Sequence, residues 1–73
     1  MKAISTLDAA LAVVDSYSDQ RGQLELPLAD ELLDDVGLNM AIILDRLLSY
    51  GWSPNGYDEQ EGYRIYRYVR AQA

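Results

Sequence analysis

The C-terminal stretch decides the fold, and it reads Tyr63-Arg64-Ile65-Tyr66-Arg67-Tyr68-Val69-Arg70. Its aromatic and β-branched residues favour extended backbone, so we predict a strand from Tyr63 to Val69. Successive side chains of a strand point to opposite faces of the sheet. One face is mostly apolar and is expected in the core: Tyr63, Ile65, Arg67 and Val69. The other face presents two tyrosines between two arginines to solvent: Arg64, Tyr66, Tyr68 and Arg70.

Upstream of this strand, the sequence predicts a turn and three helices. Ser53-Pro54-Asn55-Gly56 has the composition of a turn, and the polar residues 58–62 are interpreted as a loop. Further upstream, apolar residues recur at helical spacing in three segments. Their predicted limits are Ser5 to Gly22, Pro27 to Gly37 and Asn39 to Gly51. Between the first two, residues 23–26 alternate polar with apolar, which indicates a very short strand.

The helical periods also predict which side chains are buried. In the second helix the apolar stripe is Leu28, Ala29, Leu32, Leu33 and Val36. In the third helix it is Met40, Ile43, Leu44, Leu47 and Leu48, which leaves Ala41, Ile42, Asp45, Arg46 and Ser49 facing outward. The expected fold class is α+β, with three helices, a short strand and a C-terminal β-hairpin in one domain of residues 1–73.

Composition excludes several kinds of chemistry. A chain of 73 residues without cysteine or histidine has no disulfides, thiolate zinc sites, cysteine nucleophiles or imidazole ligands. Its serines have no histidine to activate them, and so small a core leaves little room for a substrate cleft. We therefore expect no enzyme, no cofactor and no metal site. The lack of disulfides and of any apolar signal or membrane segment predicts a cytoplasmic location.

Charge favours a protein partner over nucleic acid. The formal net charge is −6, and residues 23–62 hold nine acidic side chains but one basic side chain. Such a surface repels a duplex and an anionic membrane and attracts a basic protein surface. Asp30, Glu31, Asp34 and Asp35 form an acidic surface on the predicted second helix. A solvated helix face explains these four carboxylates better than a divalent-metal site.

Three segments resemble the winged helix-turn-helix superfamily. Residues 28–32 are similar to its second helix, residues 44–52 to the end of its third helix, and residues 62–66 to the returning strand of its wing. The resemblance implies a winged-helix-like domain. In DNA-binding members, it also implies a third helix in the major groove with basic side chains on phosphate. Here that helix carries one cation, Arg46, with Asp45 beside it.

The leading hypothesis is a small non-catalytic interaction module or regulator that binds a protein partner. The candidate partner-binding residues are Ile42, Asp45, Arg46, Arg64, Tyr66, Tyr68 and Arg70, because exposed tyrosine and arginine are typical of interface hot spots. The small core makes a homodimer a further option. One alternative is a DNA-binding transcriptional regulator of the winged-helix type. A second is an acidic nucleic-acid mimic that inhibits a nucleic-acid-binding protein.

Overall fold

The computed structural model describes residues 2–33 and 36–71, which form two helices and a three-stranded sheet. In chain order the elements are α1 (Leu7–Ser16), β1 (Gly22–Ala29), α2 (Leu38–Ser49), β2 (Ser53–Gln60) and β3 (Tyr63–Arg70). The sheet is antiparallel with the order β1-β3-β2, so the C-terminal strand is its central strand. The prediction of three helices with a short strand and a C-terminal hairpin is therefore wrong for the described residues.

The largest correction concerns Pro27, which we expected at the start of a second helix. Residues 27–29 instead continue β1, and Pro27 pairs with Ile65 of β3. Proline fits here because its missing N–H falls on the outer edge of β1. On that edge, the N–H of Ile4 donates to the carbonyl of Pro27 at 2.8 Å, and the N–H of Ala29 donates to the carbonyl of Ile4 at 2.8 Å.

After β1 the chain forms consecutive turns instead of a helix. The N–H of Leu32 donates to the carbonyl of Ala29, and the N–H of Leu33 donates to that of Asp30, at 3.0 and 3.1 Å. Both bonds span three residues, as in turns. Leu32 enters the core, but Val36, expected on a buried stripe, is 83% exposed. The rest of the predicted helix, at Asp34 and Asp35, lies outside the described residues.

The predicted helix limits are only partly confirmed: α1 ends at Ser16, six residues before the expected Gly22, which instead begins β1. Thr6 caps α1 by accepting a hydrogen bond from the N–H of Ala9, so the cap is one residue later than the expected Ser5. At the end of α2, Gly51 has a left-handed φ of 89°. The N–H of Trp52 donates to the carbonyl of Leu47, and that of Gly51 to the carbonyl of Leu48. These two bonds form a Schellman motif, which confirms the predicted end at Gly51.

The predicted turn at residues 53–56 and the predicted loop that follows it are mostly strand β2. The turn residues form a bulge, because the pairing of β2 with β3 shifts between Pro54 and Tyr57. Gln60 pairs with Tyr63, which leaves a two-residue connection at Glu61 and Gly62. Turn-forming residues therefore make an edge strand irregular here. The hairpin turns at Glu61-Gly62, six residues after Asn55-Gly56.

One core lies between the two helices and one face of the sheet. Its buried members come from both helices, from β1 and β3, from the turn after β1 and from the residue before β2: Ala10, Val14, Leu24, Leu26, Leu28, Leu32, Ile43, Leu47, Trp52 and Tyr68. The indole N–H of Trp52 donates to the carbonyl of Tyr17, which links the end of α1 to the start of β2. We call the opposite side of the sheet, which these helices do not cover, the open face.

Neither helix in the described residues has the length and apolar character needed to cross a membrane.

The two adjacent leucines of α2 provide a test of this packing. Leu47 is fully buried, whereas Leu48, expected in the same stripe, is 52% exposed. Leu47→Ala should lower the free energy of unfolding by about 2–5 kcal/mol because it leaves a cavity. Leu48→Ala should change it by no more than about 0.5 kcal/mol. Urea unfolding followed by Trp52 fluorescence measures both values, and equal losses for the two variants would contradict the observed helix orientation.

Candidate interaction surfaces

Three of the five exposed large hydrophobic residues in the described part of the chain lie on α2. Leu38 is 58% exposed, Ile42 37% and Leu48 52%. At about 100° per residue, Leu38 lies between Ile42 and Leu48 around the helix, and the three side chains span about 120° of its circumference, which is one side of the helix. We define the α2 exposed face by its six solvent-facing residues: Leu38, Ala41, Ile42, Asp45, Leu48 and Ser49. Isolated exposed leucines are ordinary, but a group on one helix face is typical of a contact surface.

Two predicted partner-binding residues, Ile42 and Asp45, lie on the α2 exposed face. Sequence reasoning missed Leu38 and Leu48, since it assigned Leu48 to the buried stripe. One signal was available, because adjacent helical residues differ by about 100° in direction. Leu47 and Leu48 therefore cannot both point at the centre of the core, and the structure buries Leu47.

Arg46 was predicted on the same face but turns toward α1. Its guanidinium donates to both carboxylate oxygens of Asp15, at 2.7 and 2.8 Å. The Tyr50 hydroxyl donates to the same carboxylate at 2.6 Å. The bond from Tyr50, followed by that from Arg46, lowers the pKa of Asp15 below its ordinary value. This contact joins the two helices, and Asp45 is the acidic residue of the α2 exposed face.

The β3 face that was predicted to face solvent, with Arg64, Tyr66, Tyr68 and Arg70, instead lies on the core side of the sheet. Leu24 pairs with Tyr68, and Leu26 pairs with Tyr66, so both tyrosines share the leucine side of the sheet. Tyr68 is only 2% exposed, and Tyr66 packs against the core. Burial raises the pKa of Tyr68 to about 12. The expected core residues lie instead on the open face, half-buried: Tyr63, Ile65, Arg67 and Val69.

Arg64 belongs to an aromatic cluster on the hairpin. Its guanidinium carbon lies 5.2 Å from the centre of the Tyr57 ring, which itself lies 5.1 Å from the Tyr66 ring centre. Arg64 donates to the Tyr66 hydroxyl at 3.2 Å and to a carboxylate oxygen of Glu59 at 3.1 Å. The hydrogen bond to Tyr66 is the main reason that the pKa of Arg64 is raised.

The other two strand arginines also have intramolecular partners. Arg67 pairs across the open face with Glu25 of β1 at 3.1 Å and with Asp58 of β2. The hydrogen bond from Arg67 lowers the pKa of Asp58. Arg70 donates to the backbone carbonyls of Ser18 and Gln20, which fixes the loop after α1. The three arginines assigned to partner binding, Arg46, Arg64 and Arg70, are therefore engaged within the protein, as is Arg67.

A hollow of about 630 Å³ lies between the hairpin and the N-terminal end of α2. Its walls include Met40 of α2, Asp30 of the turn and the paired Arg64 and Glu59. The volume is in the range of small-ligand sites, but such sites are mostly apolar. Here the guanidinium of Arg64 in the wall already donates to the Glu59 carboxylate and the Tyr66 hydroxyl.

The predicted acidic surface is only partly described. Asp30 and Glu31 are exposed in the turn after β1, while Asp34 and Asp35 lie outside the described residues. In residues 2–33 and 36–71, no group of three or more potential protein ligands could hold a metal ion.

Comparison with protein families, characterised proteins and solved structures finds no match to this chain.

The buried Tyr68 hydroxyl predicts a loss of stability at high pH. The unfolded chain loses this proton near the ordinary pKa of 10.0, but the folded protein keeps it up to about 12. The stabilisation is fully present below pH 10 and is lost as the pH rises through 12; at pH 12 the loss is on the order of 2 kcal/mol. Tyr68→Phe should decline less between pH 9 and 12 in urea unfolding. An identical decline in both proteins would exclude Tyr68 as the cause.

The pKa of Asp15 provides a second test. It is lowered, so the Asp15 contacts stabilise the fold above its ordinary value of 3.8 and are lost as the pH falls below it. Tyr50→Phe removes the largest cause and should raise the Asp15 pKa toward 3.8, as measured by carboxyl ¹³C NMR titration. Tyr57→Phe, at a tyrosine with no contact to Asp15, serves as control and should leave the titration unchanged.

Proposed function

We propose that this chain is a small non-catalytic interaction module that binds a protein partner through the α2 exposed face. One observation supports this most: α2 buries Ile43 and Leu47 on one side and exposes three large apolar side chains on the other. Apolar side chains grouped on an accessible surface lose contact with water when a partner covers them, and this stabilises the complex.

The charge arrangement supports a protein partner over a duplex. A DNA-binding surface needs cations that face phosphate. When a helix reads bases in the groove, these cations lie on that helix or beside it. Arg46 is held by Asp15, and Arg64 by Glu59 and Tyr66. Using either arginine for phosphate would first break an intramolecular contact. The DNA-binding alternative therefore has less support than the protein-binding one.

The nucleic-acid mimic hypothesis also has less support from this arrangement. A mimic presents unpaired carboxylates in place of phosphates. The predicted loop of residues 58–62 holds three acids, and two of them, Asp58 and Glu59, are instead paired with arginines of β3. The cytoplasm remains the location that we propose for the module, because a chain without cysteine has no need of an oxidising compartment.

Substitutions on the α2 exposed face provide the test of the proposed function. We would immobilise the wild-type chain and the variant Ile42→Asp/Leu48→Asp, and compare the proteins that each retains from a lysate of the source cells. Each substitution places a carboxylate at an exposed apolar contact, so a specific partner should be lost by tenfold or more. Circular dichroism would verify that the variant folds.

A matched variant controls for added charge. Ala9 and Ala12 are exposed on α1, and the double variant Ala9→Asp/Ala12→Asp adds the same two charges to that helix instead of α2. A protein that is retained by this control but lost by the α2 variant supports the proposal. Retention of every partner by the α2 variant would contradict it. Retention of duplex DNA at low salt by both variants would favour the regulator alternative instead.

A further inference from the structure

This inference rests on the proposed function and specifies the partner. We propose that the α2 exposed face binds a basic amphipathic helix, whose apolar side chains pack on Leu38, Ile42 and Leu48 and whose lysine or arginine pairs with Asp45. The site is the row of exposed side chains along α2, here called the seam. The ligand is a helix whose apolar face carries one lysine or arginine.

The spacing on α2 favours a helix as the bound element. Leu38, Ala41, Asp45 and Leu48 are separated by three, four and three residues, which is the spacing of a and d positions in a coiled coil. Ile42 follows Ala41 and lies at the edge of this seam, at an e position. This seam extends about 15 Å along the helix axis. A second helix can lie along such a seam and insert its side chains between those of α2.

Asp45 determines the charge of the bound helix. It occupies an a position between Ala41 and Leu48, and it has no ion pair within the described residues. The neighbouring Arg46 cannot supply one while it holds Asp15. A partner that covers the seam removes water from the Asp45 carboxylate, which is costly unless a cation replaces that water. A polar group at a single a position also selects partner and register.

The same carboxylate disfavours a second copy of this chain as the occupant. In a two-fold pairing of α2 with itself around residue 45, the two Asp45 side chains would face each other. Each chain also carries a formal charge of −6, so the two copies repel. A basic helix avoids both costs.

The wider charge distribution favours the same partner. Four arginines are engaged within the fold, whereas several exposed carboxylates have no ion pair among the described residues. These are Asp8, Asp19, Asp30, Glu31, Asp45 and Glu61. The remaining field is therefore negative, which speeds association with a basic segment and weakens association with an acidic one.

The experiment uses two synthetic helical peptides that differ at one seam position. Both carry leucine at the other a and d positions; one has lysine opposite Asp45, and the other has glutamate there. Isothermal titration calorimetry measures binding to the full chain, and ¹⁵N-resolved NMR locates it. We expect the lysine peptide to bind at α2 and to lose about tenfold in affinity with Asp45→Lys. The glutamate peptide should gain affinity for that variant.

Asp19→Lys makes the same charge change at an exposed position in the loop after α1 and is the matched control. It should retain the lysine peptide within about threefold, as expected for a charge away from the contact. Equal losses for Asp19→Lys and Asp45→Lys would overturn the inference, because net charge alone would then explain the binding.

The variants also separate this inference from the proposed function. If Ile42→Asp/Leu48→Asp abolishes binding of the lysine peptide but Asp45→Lys does not, the α2 exposed face binds proteins and the assigned role of Asp45 is wrong. If neither variant affects the peptide, both the partner class and its site on α2 are refuted.

Discussion

The pairing of β1 with β3 is the constraint on which the rest of the structure depends. It places Leu24, Leu26 and Leu28 on the same side of the sheet as Tyr66 and Tyr68. Because side chains alternate along a strand, a shift of one residue in this register would reverse the faces of β3. The two helices then cover the side with the leucines, and this determines which face of the sheet each of the three arginines and three tyrosines of β3 occupies.

The identity of β3 as a strand was predictable, but its orientation was not. Both of its faces combine apolar or aromatic side chains with arginine, so β3 alone does not indicate which face is buried. The deciding information lies in β1, where leucine recurs at every second residue from Leu24 to Leu28. Interpreting Pro27 as the start of a helix divides this pattern and hides it. The proline is compatible with the strand only because its edge position requires no N–H there, and this depends on the sheet order.

The contacts of the arginines determine which charges of this acidic chain of 73 residues remain unpaired. Arg46 joins α1 to α2, Arg67 joins β3 to both neighbouring strands, and Arg70 holds the loop after α1. Exposed ion pairs contribute little individually, so their main effect is on which charges remain available to a partner. The sequence identified these arginines as candidates for binding but did not predict their intramolecular partners. Asp15 and Arg46, for example, are 31 positions apart.

The small size of the core explains why one face of α2 stays exposed. A two-helix layer over three strands has room to bury one side of α2, and Ile43, Leu47 and the Trp52 that follows the helix fill it. The helix nevertheless carries leucine or isoleucine at three outward positions, where polar residues would serve folding equally well. Folding does not require these side chains to be apolar, whereas the association that we propose would use them. Asp45 lies among them without an ion pair in the described residues, so it is available to the cation that we propose a partner supplies.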